Sequence, residues 1–100
     1  MIVLYTTFPN LEVATKICNA LVEKDIIKCA NLFNGGASIY KWENKLQTTS
    51  EVYSYLKTTT DRIDDIEELF KEQHPYDNPC LIELQLNYIR PEFRDWVENT

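Results

Sequence analysis

The stretch His74-Pro75-Tyr76-Asp77-Asn78-Pro79-Cys80 places an imidazole, a phenol and a thiol within seven residues, and it holds the chain's only histidine. Two prolines restrict its backbone. Histidine and cysteine are the side chains best suited to soft or borderline metals, so this segment is the first candidate site. His74 reads as a metal ligand or as a cap on a helix C-terminus, where an imidazole meets the dipole and free carbonyls. Cys80 reads as a sulfur ligand or as a small apolar residue entering a buried strand. One histidine is too few for a tight mononuclear site in a single chain. Cys18, on the apolar face of a helix, and Cys29, at the start of a strand, read as packing residues.

The elements that must position this segment follow from the apolar pattern. Ile2 to Phe8 is a short β-rich run closed by Pro9. Asn10 suits a helix cap, and Leu11, Ala14, Ile17, Cys18 and Leu21 repeat as one helical face. Ile26 to Phe33 reads as a strand, interrupted at Asn34-Gly35-Gly36 by a bulge or bend. Ser38 to Trp42 resumes it, with Tyr40 and Trp42 on one face. Glu43-Asn44 is a two-residue turn. Lys45 to Gln47 and Glu51 to Thr58 form the return, with Val52, Ser54 and Leu56 on one face and Tyr53, Tyr55 and Lys57 on the other. Thr58 to Asp61 offers caps for a second helix with Ile63, Ile66, Leu69 and Phe70 as its core face, stopped by Pro75. Cys80 to Leu86 alternates as a strand with Ile82, Leu84 and Leu86 inward. Pro91 opens a terminal helix with Phe93, Trp96 and Val97 on its apolar side.

The order is strand, helix, strand, strand, helix, strand and a short C-terminal helix. It predicts one α+β domain over residues 1–100, a ferredoxin-like split β-α-β sandwich with a long central hairpin. The hairpin spans about thirty residues, longer than a small sheet of ordinary strands needs. Its aromatics Tyr40, Trp42, Tyr53 and Tyr55 exceed what two helices can cover, and a long bare edge invites aggregation. An obligate homo-oligomer with the hairpin at the interface is the expectation.

Composition excludes several classes. A net charge of −6 without a basic cluster argues against nucleic acid and anionic membrane surfaces. No apolar run reaches membrane-spanning length, and Met1 to Tyr5 lacks the basic flank of a signal peptide. Three cysteines without a Cys-x-x-Cys spacing point to a reduced, cytoplasmic setting. Asp61 to Glu68 lacks the glycine and ligand spacing of a calcium loop and reads as a solvated helix face. No catalytic triad context and no phosphate loop occur, so no enzyme is expected.

Three blocks together resemble the CutA divalent-cation tolerance proteins: Cys29 through Lys45, then Glu51-Val52 with Leu56-Lys57-Thr58-Thr59, then His74-Pro75-Tyr76 with Pro79. The resemblance covers nearly the whole chain. It implies a PII-like homotrimer tolerant of divalent metals, with copper, as Cu(II) or Cu(I), the foremost ion and other divalent cations admitted. It implies intersubunit clefts that gather Tyr40, Trp42, Lys57, His74 and Tyr76. The chain departs from the family pattern at Asn34, commonly proline, at Asn44, commonly glycine, and at Cys80, commonly glutamate. Thr6 and Thr7 stand where some members carry a cysteine proposed as a copper ligand. Cysteine for glutamate exchanges a hard oxygen for a soft sulfur and would favour Cu(I) or zinc. The metal ligands expected are therefore His74 and Cys80. The competing expectation is a sensor or interaction module, whose cleft takes a small anionic ligand or an unidentified protein partner. There Lys57 would hold the anion, unless it pairs with Glu43 or Glu51.

Overall fold

A computed structural model describes residues 1–100. Strand β1 (Ile2–Phe8) leads to helix α1 (Leu11–Glu23), the long strands β2 (Cys29–Trp42) and β3 (Lys45–Thr58), helix α2 (Ile63–Gln73), the short strand β4 (Ile82–Leu84) and helix α3 (Pro91–Asn99). A turn of 3₁₀ helix over Thr60–Arg62 precedes α2. The four strands form one antiparallel sheet in the order β2-β3-β1-β4. This is the ferredoxin-like arrangement expected, with the hairpin strand β2 at one edge.

Strand alternation decides which residues meet the helices. Ile2, Leu4 and Phe8 of β1 and Val52 and Leu56 of β3 are buried in one cluster with Ala14, Ile17 and Leu21 of α1 and Ile66, Leu69 and Phe70 of α2. Asn10 caps α1 as its position predicts, its side chain accepting from the Val13 N–H at 2.9 Å. Leu11, expected on the core face, is 43% exposed at the first position of α1, and the core contact begins with Val13 and Ala14. Ile26 and Ile27 are buried but lie in the connection, not in a strand: both their N–H groups bond the Leu21 carbonyl, after Asp25 turns the chain at φ 58°. The threonines before α2 do not cap it directly. Thr59 opens the 3₁₀ turn, and its hydroxyl bonds Asp61, holding that carboxyl below its usual range.

Two features of the hairpin match its sequence. Glu43 and Asn44 take φ values of 51° and 64°, the left-handed pair that a two-residue turn requires. The register runs from Phe33↔Tyr53 to Gly36↔Glu51, so Asn34 and Gly35 together oppose Val52 alone, which is a bulge. β3 is unbroken through Thr48–Ser50, where a gap was expected. β1 ends at Phe8 opposite Val52, so beyond that pair β2 and β3 continue as a two-stranded arm.

The last strand corrects the expectation on two points. It is only Ile82–Leu84 long, and its pairing partners are Tyr5 and Val3, so Ile82 and Leu84 sit on the face away from α1 and α2. Ile82 is 52% exposed, while Leu81 is the residue that packs against the core. The alternation was legible; the face it addresses was not. Tyr5, Tyr53, Tyr55 and Phe33 share that uncovered face, with ring centroids 5.7–6.3 Å apart between neighbours. α3 packs where β3 ends, placing the Phe93 ring 5.7 Å from Lys57 Nζ and the Trp96 ring 4.8 Å from Lys28 Nζ.

Candidate functional site

Pro75 ends α2 after Gln73, and His74 turns the chain into extended backbone while its N–H still bonds the Phe70 carbonyl. From there the chain crosses the end of β1. His74 Nδ1 accepts from the Tyr76 N–H at 3.2 Å. That lone pair is taken, so Nε2 carries the hydrogen and donates to the Thr7 carbonyl at 2.9 Å. The ring stacks on Phe8 at 5.1 Å and 18°, and meets Phe70 edge-on at 5.0 Å. Burial pushes the imidazole below its ordinary pKa, opposed by the bond to Thr7 and the nearby charge of Glu51. His74 is thus a neutral clasp that ties α2 to β1 and aims Tyr76.

Tyr76 completes the reach. Its hydroxyl donates to Glu51 Oε2 at 2.5 Å, and the hydroxyl of Ser38 donates to Glu51 Oε1. Burial raises the Tyr76 phenol well above its usual pKa, helped by the bond and charge of Glu51 and by Tyr40 and Cys80 close by. The phenol therefore remains a neutral donor. Glu51 is only 9% exposed and pairs with no lysine, arginine or histidine of the chain. A carboxylate held this far from water by two neutral hydroxyls retains unused lone pairs and an uncompensated charge.

Cys80 lies on the other side of the same group. Its carbonyl accepts from the Thr6 hydroxyl at 2.6 Å, and its sulfur is 3.7 Å from the Thr7 hydroxyl. It is half-buried. Cys80 and Glu51 both raise the Tyr5 phenol pKa, after the larger effect of burial, so thiol and carboxylate flank one aromatic neighbourhood. Cys18, in contrast, is buried against the core and pushed up to about 11 by that burial, which suits packing. A cleft of about 490 Å³ opens beside the segment, lined by Glu67, Lys71, His74, Tyr76, Asp77 and Leu81 among others.

Of the residues singled out from sequence, one chain brings together His74, Tyr76, Cys80 and Tyr40. Trp42, near the tip of the arm, is 65% exposed. Lys57 lies six residues along β3 from Glu51, about 20 Å at ordinary strand rise. It bonds the side chain of Asn31 and stands over Phe93, so the ion pair with Glu43 or Glu51 does not form. Glu51 and Ser38 were missed. The bulge was visible in Asn34-Gly35-Gly36, and its consequence could have found them: one extra residue reverses the faces of β2 and brings Ser38, not Ala37, onto the side of Glu51.

The donor set bounds what this site can hold. Nowhere do three side chains of the His, Cys, Asp and Glu types gather around one point. With both His74 nitrogens engaged, one chain offers the Glu51 carboxylate, the Cys80 thiol and neutral hydroxyls. That set fits an open, weak cation site and does not fit a closed tetrahedral one.

Comparison with known proteins is consistent across sequence and structure. A family model described as CutA1 divalent ion tolerance protein matches residues 2–100. The divalent-cation tolerance protein CutA of Pyrococcus horikoshii is 38% identical over 97 residues, covering 97% of this chain and 94% of that protein. The solved structure of the divalent cation tolerance protein of Thermus thermophilus superposes with a TM-score of 0.91 at 34% identity, covering 97% of this chain and 94% of that one. CutA1 from Oryza sativa gives a TM-score of 0.91 at 31% identity, covering 96% and 88%.

Proposed function

This chain belongs to the family of CutA1 divalent ion tolerance proteins, and from that premise we propose that it binds divalent cations weakly where Glu51, Tyr76 and Cys80 meet. Copper is the leading cargo. Cu(II) would use the carboxylate and hydroxyl oxygens, and Cu(I) the Cys80 thiolate. His74 serves as the clasp that holds Tyr76 in place, and joins the ligands only if its bond to the Tyr76 N–H is given up. The observation that carries the reading is the buried Glu51 carboxylate, which has two hydroxyl donors and no cation partner. The role proposed is binding, with both His74 nitrogens engaged in holding the segment.

The assembly proposed is a PII-like homotrimer in the cytoplasm. Its support is the apolar surface that one chain leaves bare: Phe33, Tyr55 and Ile82 on the uncovered sheet face, and Ile39, Trp42 and Leu46 on the arm, are 36–73% exposed. Surfaces of this kind mark contact with a partner, and a second copy supplies matching strands. Trimer packing would also bring Lys57 and Trp42 of one copy towards the site of another, joining residues that a single chain keeps apart.

Calorimetric titration with Cu(II), and with Cu(I) under reductant, tests the site. Glu51→Gln is expected to lose most of the Cu(II) affinity, and Cys80→Ser most of the Cu(I) affinity. Unchanged affinity in both variants rejects the assignment. Mass measured in solution at micromolar concentration tests the trimer, and a stable single-chain species rejects it.

A further inference from the structure

The bulge decides which side chains face Glu51, so whatever holds the bulge holds the site. Before it, Asn31 and Phe33 of β2 share a face with Tyr53 and Tyr55 of β3; after it, Gly36, Ser38 and Tyr40 share that face with Glu51 and Thr49. Gly35 takes φ 90°, which a residue with a side chain adopts only with strain.

Tyr53 spans this irregularity. Its hydroxyl donates to the Ala37 carbonyl at 2.6 Å and accepts from the Ala37 N–H at 2.9 Å. One phenol thus satisfies both main-chain groups of the residue before Ser38. The ring reaches them by lying flat over Gly36: a Cβ there would fall 2.5 Å from the Tyr53 ring carbon that bears the hydroxyl. Gly36 is glycine because the ring occupies the place of its side chain. On its other flank Tyr53 pairs in register with Thr7, whose hydroxyl neighbours the Cys80 sulfur. The same tyrosine therefore adjoins both halves of the site while its hydroxyl bonds Ala37 and not the Glu51 carboxylate.

We propose that Tyr53 is a positioning residue for this site: its clasp on Ala37, closed over Gly36, fixes the bulge so that the Ser38 hydroxyl meets Glu51. Its function is to pre-organise the oxygen donors and spare the arm an ordering step when a cation arrives. The proposal rests on the cation reading of Glu51. It adds that the donor geometry is set from a strand residue two positions away, through the main chain of the facing strand.

A double-mutant cycle tests it without any metal. Ser38→Ala, Glu51→Gln and the pair are measured by denaturation of the full chain at fixed protein concentration, first with Tyr53 present and then in Tyr53→Phe. The Ser38–Glu51 coupling is expected in the first background and lost in the second, since phenylalanine keeps the ring but not the clasp. Coupling that persists in Tyr53→Phe overturns the proposal. Gly36→Ala pushes the ring aside while leaving its hydroxyl intact, and the same loss of coupling is expected; this variant decides the matter if Tyr53→Phe does not fold. In a parallel Cu(II) titration, Tyr53→Phe is expected to weaken binding by about two- to tenfold, the range of one hydrogen bond. Its electron paramagnetic resonance spectrum is expected to change with the altered oxygen donors. No such loss in the Ser38→Ala background is expected, because the effect passes through Ser38; an equal loss there overturns the proposal. If the native chain binds no Cu(II), the cation reading fails, while the cycle still decides the role of Tyr53.

Discussion

The two halves of β3 belong to one unbroken strand and have opposite fates. From Val52 to Thr58 the strand lies between β1 and β2 beneath two helices, and Val52, Ser54, Leu56 and Thr58 are buried. From Lys45 to Ser50 it has only β2 beside it, and Leu46 is 73% exposed. Composition and neighbours both separate the halves: Leu46 is the one large apolar residue from Lys45 to Ser50, whereas Val52, Tyr53, Tyr55 and Leu56 fill the other half. β1 stops at Phe8, and with it ends the layer that covers β3. Glu51 stands at the junction, rigid on the core side and open on the arm side. Such a junction can hold a polar group in a fixed place while leaving room for a partner or an ion.

Variants that break this contrast should do so unequally. Leu56→Ala, at a fully buried position, is expected to cost about 2–5 kcal/mol of stability by denaturant titration, since a leucine cavity in a packed core collapses little. A smaller cost would mean that the covered half is loosely packed. Tyr76→Phe removes a donor from a buried carboxylate and is expected to cost about 1–3 kcal/mol. No loss would place Glu51 in contact with water and weaken the cation reading.

The His74 clasp sharpens the boundary through pH. Its folded pKa lies below the unfolded value near 6.5, so the unfolded chain takes up a proton first as pH falls. Its contribution is complete above pH about 6.5 and declines as pH falls from there towards the folded pKa. Denaturation midpoints of the native chain at pH 7.5 and 5.5 are expected to show this decline, and His74→Asn to reduce it. An identical decline in both would assign it to other groups. The smallest effect belongs to the arm. Leu46→Ala is expected to change the folding stability of a dissociated chain by less than about 0.5 kcal/mol, as exposed substitutions do. It should act on association instead, moving the solution mass towards one chain at lower dilution.

Much of the fold was legible because its signals are local. Asn10 caps its helix, Pro75 ends one, Glu43-Asn44 turns the hairpin, and Asn34-Gly35-Gly36 bulges it. What escaped was non-local. Ile82 and Leu84 alternate as a strand should, but which face they meet depends on pairing with Val3 and Tyr5, some eighty residues away. Lys57 and Glu51 share a strand and a face, which made an ion pair plausible; strand rise keeps them apart. His74 was recognised as the pivotal residue, yet its role depends on the Thr7 carbonyl and the Phe8 ring, neither visible from its neighbours. Glu51 stood out in the sequence as part of a family block and as an ion-pair candidate for Lys57, not as a site residue; the end of β1 and the reversal of faces at the bulge place it at the proposed site.

The central claim is that the cation meets Glu51 at the junction of core and arm. Crystals loaded with Cu(II) test it through the anomalous scattering of the metal. The strongest peak is predicted at ligand distance, about 2 Å, from a Glu51 carboxylate oxygen, with Tyr76 or Ser38 beside it. A peak on His74 Nδ1 or on the acidic face of α2, with Glu51 bare, would contradict the account.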